Sequence, residues 1–127
     1  SDLNYSQTFF SVENLDKKIA IRSGLANIKN VSVELANYIV KEREDNGKYK
    51  SIFDFFSRLN PSILNKRQIE YLSMAGVFDS FNVNRATVFN SSTSLLQISQ
   101  NIYLEEKSNQ QMIFSDHNND KNFLHLN

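Results

Sequence analysis

The stretch over residues 25–39, L-A-N-I-K-N-V-S-V-E-L-A-N-Y-I, constrains the fold more than any other, because its apolar spacing fits two helices joined by a tight turn. Leu25 and Ile28 lie three apart on a short first helix, residues 29–32 make the turn, and Ala36 and Ile39 give the second helix its inward face. A small Ala at position 36 allows close helix contact. The turn has no glycine; Asn30 and Ser32 flank Val31 instead. Asn tolerates the left-handed region best after Gly. Ser32 is a competent N-cap, with Val31 before it able to pack on Leu35 or Ala36 as a hydrophobic staple.

The flanking sequence extends the pattern. Residues 8–22 read as two short β-runs around a turn at residues 14–16, with Phe10 and Val12 alternating on one side and Ile19 and Ile21 on the other. After the second helix, Asp45-Asn46-Gly47 is a C-terminal stop. Ser51 with Asp54 three residues on resembles an N-cap box leading into Ile52, Phe55, Phe56 and Leu59. Asn60-Pro61 ends that helix, because the ring constrains Asn60 and lacks a donor. Asn65 and Gln68 open a further helix carrying Ile69, Leu72 and Tyr71 inward, and Gly76 closes it ahead of Val77 and Phe78. Asn84 is placed to cap a last, longer helix with Val88, Leu95 and Ile102 in one column and Phe89, Leu96 and Tyr103 in the next. The weak helix formers over residues 90–94 argue against one unbroken rod. From Glu105 onward the chain is polar and Asn-rich, with an apolar island at residues 110–114, and a flexible tail is expected.

Composition narrows the classes. With 127 residues, 40% hydrophobic content and ten Phe, the chain is about one domain with enough apolar surface for a modest core. Zero Cys excludes disulfides and thiol metal sites, and two His, His117 and His125 in the polar tail, are too few for a zinc or triad site. No apolar run approaches the roughly 18 residues of a membrane span, so a soluble, cytoplasmic protein without a membrane partner is expected. The net charge is zero, but 12 basic and 10 acidic residues precede or include Arg85 while 2 basic and 4 acidic follow it. A basic lean this small permits nucleic-acid binding without indicating it. Glu13, Asp16 and the E-R-E-D cluster over residues 42–45 read as solvated surface charges.

The short helix, turn and helix pattern occurs twice, around Asn30 and around Gly76, and it resembles a tandem helix-hairpin-helix. In such a hairpin the backbone N–H groups of the bend and the N-terminus of the second helix point at one phosphate, whose charge the helix dipole favours. The contact reads shape and not sequence. Paired hairpins of this kind hold both strands of a duplex across a minor groove, which favours double-stranded DNA over single strands.

With those residues in place, the chain resembles the segment after the fingers in the family of bacterial replicative DNA polymerase III alpha subunits. The family's I-R-x-G-L-x-x-I-K-x-V is matched by Ile21, Arg22, Gly24, Leu25, Ile28, Lys29 and Val31, and its helix-ending R-E by Arg43 and Glu44. Its G-x-[FY]-x-S-[IL]-x-D-F is matched at Gly47, Tyr49, Ser51, Ile52, Asp54 and Phe55. Its N-K-R-x-[IL]-E-x-L-x-x-A-G-x-F-D-S runs from Asn65, Lys66 and Arg67 to Gly76, Phe78, Asp79 and Ser80, followed by Asn84 and Arg85. Where the family has Gly-Val-Gly in the first bend, this chain has Asn30-Val31-Ser32.

The resemblance implies a region that holds the new duplex behind the polymerase site and then docks on the sliding clamp. Clamp-binding peptides of the family look like Q-x-x-[LMI]-F, which Gln110, Ile113 and Phe114 match. It also implies that the parent chain is a nucleotidyltransferase using Mg, with its metal-binding carboxylates upstream on the palm, so no catalytic residue, metal or cofactor is expected in this fragment. Other replicative polymerase subunits are implied partners.

The expected architecture is mainly α: a short β-hairpin (residues 1–22), a tandem helix-hairpin-helix domain (residues 23–106) and a flexible tail with the clamp-binding peptide (residues 107–127). Lys29, Asn30, Val31, Ser32, Lys66, Arg67, Gly76 and Arg85 are the expected DNA-backbone contacts. One alternative is a protein-interaction module whose degenerate hairpins only hold the fold. A base-extracting repair glycosylase would need a catalytic Asp downstream of a Gly-rich hairpin, and the sequence has none so placed.

Overall fold

The computed structural model describes the backbone of residues 1–16 and 18–126, and the side-chain surroundings of residues 1–14, 16 and 18–113. In chain order these form strands β1 (Ser11–Leu15) and β2 (Lys18–Arg22), a 3-10 turn at Leu25–Asn27, helices α1 (Val33–Asn46) and α2 (Ile52–Arg58), and a second 3-10 turn at Pro61–Ile63. Helix α3 (Lys66–Met74), a third 3-10 turn at Asp79–Phe81, α4 (Arg85–Asn90) and α5 (Ser92–Leu126) complete the chain. The strands pair antiparallel, with Val12 opposite Ile21 and Asn14 opposite Ile19.

Local chemistry sets the boundaries. Ser32, Ser51, Asn65 and Asn84 each accept, on the side-chain oxygen, the amide three residues on, capping α1 to α4 in turn. At Asn65 the Gln68 side chain returns the bond to complete the capping box. At Ser51 the return is displaced by one residue: the Asp54 carboxylate accepts from the Lys50 amide at 2.9 Å, which holds its carboxyl below the usual range. Gly47 ends α1 with a φ of 89°. The weak helix formers near Ser91 interrupt the last helix, so α4 and α5 are separate elements.

The core is built on aromatic rings. Tyr49 and Phe55 meet edge to face at 5.0 Å, Phe55 and Phe56 at 5.1 Å, and Phe78 packs 5.5 Å from Phe55. Leu25, Leu35, Ala36, Ile39, Ile69, Leu72 and Val77 surround them, fully buried. Each such leucine, isoleucine or phenylalanine contributes roughly 1.5–3 kcal/mol relative to exposure. The Tyr49 hydroxyl donates to the Ile39 carbonyl at 3.0 Å, and burial raises its pKa well above that of a free phenol. Helix α5 reaches the core through Leu95 and Leu96 and through two buried serines, Ser92 and Ser99, whose small side chains admit close approach. The Ser99 hydroxyl donates to the Leu59 carbonyl at 3.3 Å. Tyr103, expected in an inward column, is exposed.

Two expectations are corrected. First, residues 1–8, grouped by sequence with the hairpin, pack into the helical core. Leu3 is fully buried and its amide donates to the Val77 carbonyl at 3.1 Å. Asn4 and the Tyr49 backbone exchange two hydrogen bonds, at 2.9 and 2.7 Å. Gly24 lets this segment cross: a Cβ there would lie 2.3 Å from the Phe9 carbonyl carbon. Second, the E-R-E-D cluster is only half solvated. Arg43 is buried and donates to the carbonyls of Leu3 and Ser6, each at 2.8 Å, while Glu42 pairs with Arg58 at 2.6 Å with both side chains largely covered. Arg58 also donates to the Gly47 carbonyl at 2.6 Å and lies 4.2 Å from the Tyr49 ring, so it locks the end of α1 onto α2. The backbone of α5 continues helical through Leu126, in keeping with the good helix formers Glu105, Glu106, Lys107, Gln110 and Met112. The side chains from Glu105 to Ile113 are all exposed. No helix among the described residues is long and apolar enough to cross a membrane.

Candidate nucleic-acid interface

The first bend links the 3-10 turn at Leu25–Asn27 to α1. Its apolar residues point in: Leu25 is fully buried, and Val31 is held in the core below the bend. The amide of Val31 donates to the Ile28 carbonyl at 3.1 Å, and Asn30 takes the left-handed conformation with a φ of 65°. The Asn at this point therefore takes the conformation that glycine adopts most freely. Ser32 then caps α1, its Oγ accepting from the Leu35 amide at 3.0 Å and its carbonyl from the Ala36 amide at 3.0 Å.

What remains is a row of unpartnered donors. The amides of Ser32, Val33 and Glu34 make no hydrogen bond to any described residue, and all three residues are exposed. They lie at the positive end of a 14-residue helix, the arrangement that suits an oxyanion. Lys29 stands exposed on the same bend, its Nζ 5.9 Å from the Tyr71 ring of α3. That contact places the bend beside α3, where Arg67 sits one turn before Tyr71 on the same helix face and Lys66 opens the helix, both exposed. Lys29, Asn30 and Ser32 thus share one bend, whose lysine reaches the face of α3 that carries Arg67, while Lys66 lies at the start of that helix. Val31 serves as the bend's anchor, turned inward. Glu34, the acidic residue of the first turn of α1, sits among the free amides as a competitor for them.

The second bend is built differently from the expectation. Gly76 has a φ of 77° and its amide donates to the Ser73 carbonyl at 3.0 Å, while the Val77 amide reaches the Leu72 carbonyl at 3.2 Å. These two bonds are the Schellman closure of α3. Val77 and Phe78 turn into the aromatic core, so this bend faces the interior and Gly76 has no free amide to offer. Arg85, expected at phosphate, lies over Gly76 and pairs with Asp79 at 2.5 Å, with a further bond to the Met74 carbonyl at 3.3 Å. The Arg85 hydrogen bond holds the Asp79 carboxyl below the usual carboxylate range.

Gln110 and Ile113 lie three residues apart on α5, both exposed, and the Phe114 side chain lies outside the described residues. Among the described residues no group of three or more His, Cys, Asp or Glu could hold a metal ion. Sequence reasoning missed Tyr71 as the partner of Lys29; its position four residues after Arg67 was the available signal.

Comparison with known proteins identifies the family. The family described as the helix-hairpin-helix motif matches residues 1–88. DNA polymerase III subunit alpha of Caulobacter vibrioides is 35% identical over 113 residues, covering 89% of this chain and 10% of the relative. The subunit alpha of Borreliella burgdorferi is 34% identical over 111 residues, covering 87% of this chain and 9% of the relative. That of Rickettsia bellii is 38% identical over 86 residues, covering 68% and 7%. The chain therefore belongs to the helix-hairpin-helix family and spans about a tenth of the length of the DNA polymerase III alpha subunits it matches.

Proposed function

We propose that this chain is the non-catalytic, duplex-holding segment of a DNA polymerase III alpha subunit. The observation that carries the reading is the row of unpartnered amides at Ser32, Val33 and Glu34 behind the left-handed Asn30. A backbone phosphate oxygen accepts these N–H groups, and Lys29 adds a cation at the same corner. Lys66 and Arg67 take the neighbouring phosphate. The contacts hold the duplex in register without reading its bases. Further along, Gln110, Ile113 and Phe114 dock the sliding clamp. The parent polypeptide carries out nucleotidyl transfer in the cytoplasm, with Mg held on carboxylates outside these 127 residues and with other replicative subunits as partners.

Titration of the chain with duplex DNA at two salt concentrations tests this reading. Neutralisation of these two phosphates gives a log–log salt slope of about −2, and Lys29→Ala lowers its magnitude by about 1. Phe114→Ala leaves DNA affinity unchanged and weakens clamp binding. The reverse assignment, with Lys29→Ala silent and Phe114→Ala abolishing DNA binding, overturns it. A second reading, a module that binds only the clamp or other replisome subunits, draws support from the inward second bend and from Glu34 among the free amides. Salt-independent clamp binding with no DNA affinity selects that reading.

A further inference from the structure

The two faces of the β1–β2 hairpin are arranged in the opposite sense from an ordinary surface hairpin. The register puts Val12 and Ile21 opposite each other and Ile19 opposite Asn14, so these four side chains, with Phe10 two residues before Val12, share one face. That face is open: Phe10 is 65% exposed, Val12 61%, Ile19 76% and Ile21 72%. The other face is the more covered one, although it is polar. There Glu13 pairs with Arg22, both half-buried, and the Arg22 guanidinium lies 5.7 Å from the Tyr5 ring. Antiparallel strands with one wet face normally turn the apolar side inward, and an isolated two-stranded hairpin is marginal in water. A contiguous apolar face without a charge marks an interaction surface.

Length says what covers it. The family match begins at residue 1 and includes the hairpin, whereas the whole chain spans about a tenth of its relatives. A few side chains fall short of the roughly 800 Å² that each partner contributes to a stable interface between free molecules. The same patch suffices for two parts of one polypeptide, where the tether supplies a high effective concentration. We infer that the Phe10, Val12, Ile19 and Ile21 face is the docking surface for an uncharged, apolar face of another domain of the same, longer polypeptide. The inference shares with the proposed function only that longer polypeptide. Loss of DNA binding with the hairpin still covered would break one and leave the other.

Hydrogen–deuterium exchange of residues 10–22, compared between the 127-residue chain and the full-length polypeptide that contains it, provides the test. The full-length protein is expected to slow exchange there by at least about tenfold, independently of protein concentration. The pair Ile19→Glu and Ile21→Glu restores fast exchange in the full-length protein and leaves the far-UV circular dichroism of the 127-residue chain unchanged, since both side chains already face solvent. Equal exchange in the two wild-type proteins overturns the inference, and that comparison needs no variant to fold. So does protection of the short chain that grows with concentration together with a dimer mass, which assigns the face to a second copy. Protection seen only on adding duplex DNA overturns it as well.

Discussion

Asn30 and Gly76 stand at corresponding places in two bends, with φ of 65° and 77°, yet the bends do opposite work. After Asn30 the chain buries one side chain, Val31, and releases three amides to solvent at the head of α1. After Gly76 it buries two, Val77 and Phe78, and closes its amides onto α3. The residue after each apolar anchor decides the difference. Ser32 caps a long helix and keeps the chain at the surface, whereas Phe78 belongs among aromatic rings and draws the bend inward. A repeated backbone turn is therefore not a repeated surface: one copy leaves donors free and the other holds the core.

The largest effect separating the two bends is expected from Phe78→Ala, which removes a ring from the core and costs about 3–5 kcal/mol. Thermal unfolding reads the loss, and duplex affinity of the folded protein stays the same. A loss of affinity without a loss of stability would place DNA at the wrong bend. Next come Gly76→Ala, whose Cβ meets the left-handed region and the Arg85 guanidinium above it, and Asn30→Val, which puts a β-branched residue where Asn tolerates that region, each at about 1–2 kcal/mol. Calorimetry is expected to find similar destabilisation, but only Asn30→Val weakens duplex binding. Asn30→Gly retains binding, since glycine takes the same conformation freely. The smallest effect concerns acid. The folded pKa of Asp79 lies below its unfolded value of about 3.9, so its contribution is complete above that pH and is lost as pH falls through the folded pKa. Asp79→Asn is expected to lower the melting temperature slightly at neutral pH, with the gap to wild type closing as the pH falls through the folded pKa.

Short-range chemistry was legible in the sequence and long-range pairing was not. The caps at Ser51, Asn65 and Asn84, the stops at Gly47 and Gly76, the break near Ser91 and the inward Ala36 and Ile39 all follow from residues within four of one another. Arg43 was read as a surface charge because its partners, the carbonyls of Leu3 and Ser6, lie 40 and 37 residues away. Glu42 was misread for the same reason, its partner Arg58 being 16 residues on. The direction of the second bend depends on Phe78 meeting Phe55 and Phe56, which no local period encodes. At the first bend the conformation of Asn30 and the cap at Ser32 were readable, while the Lys29 contact with Tyr71 required knowing that α3 packs beside it.

Amide chemical-shift mapping, with a short DNA duplex titrated into the ¹⁵N-labelled chain, bears on the division between the bends without any mutation. The amides of Ser32, Val33 and Glu34 are expected to move most, in a salt-dependent manner, with those of Gly76 and Val77 left in place. Shifts centred on Gly76 and Val77, with Ser32 to Glu34 unmoved, would contradict it.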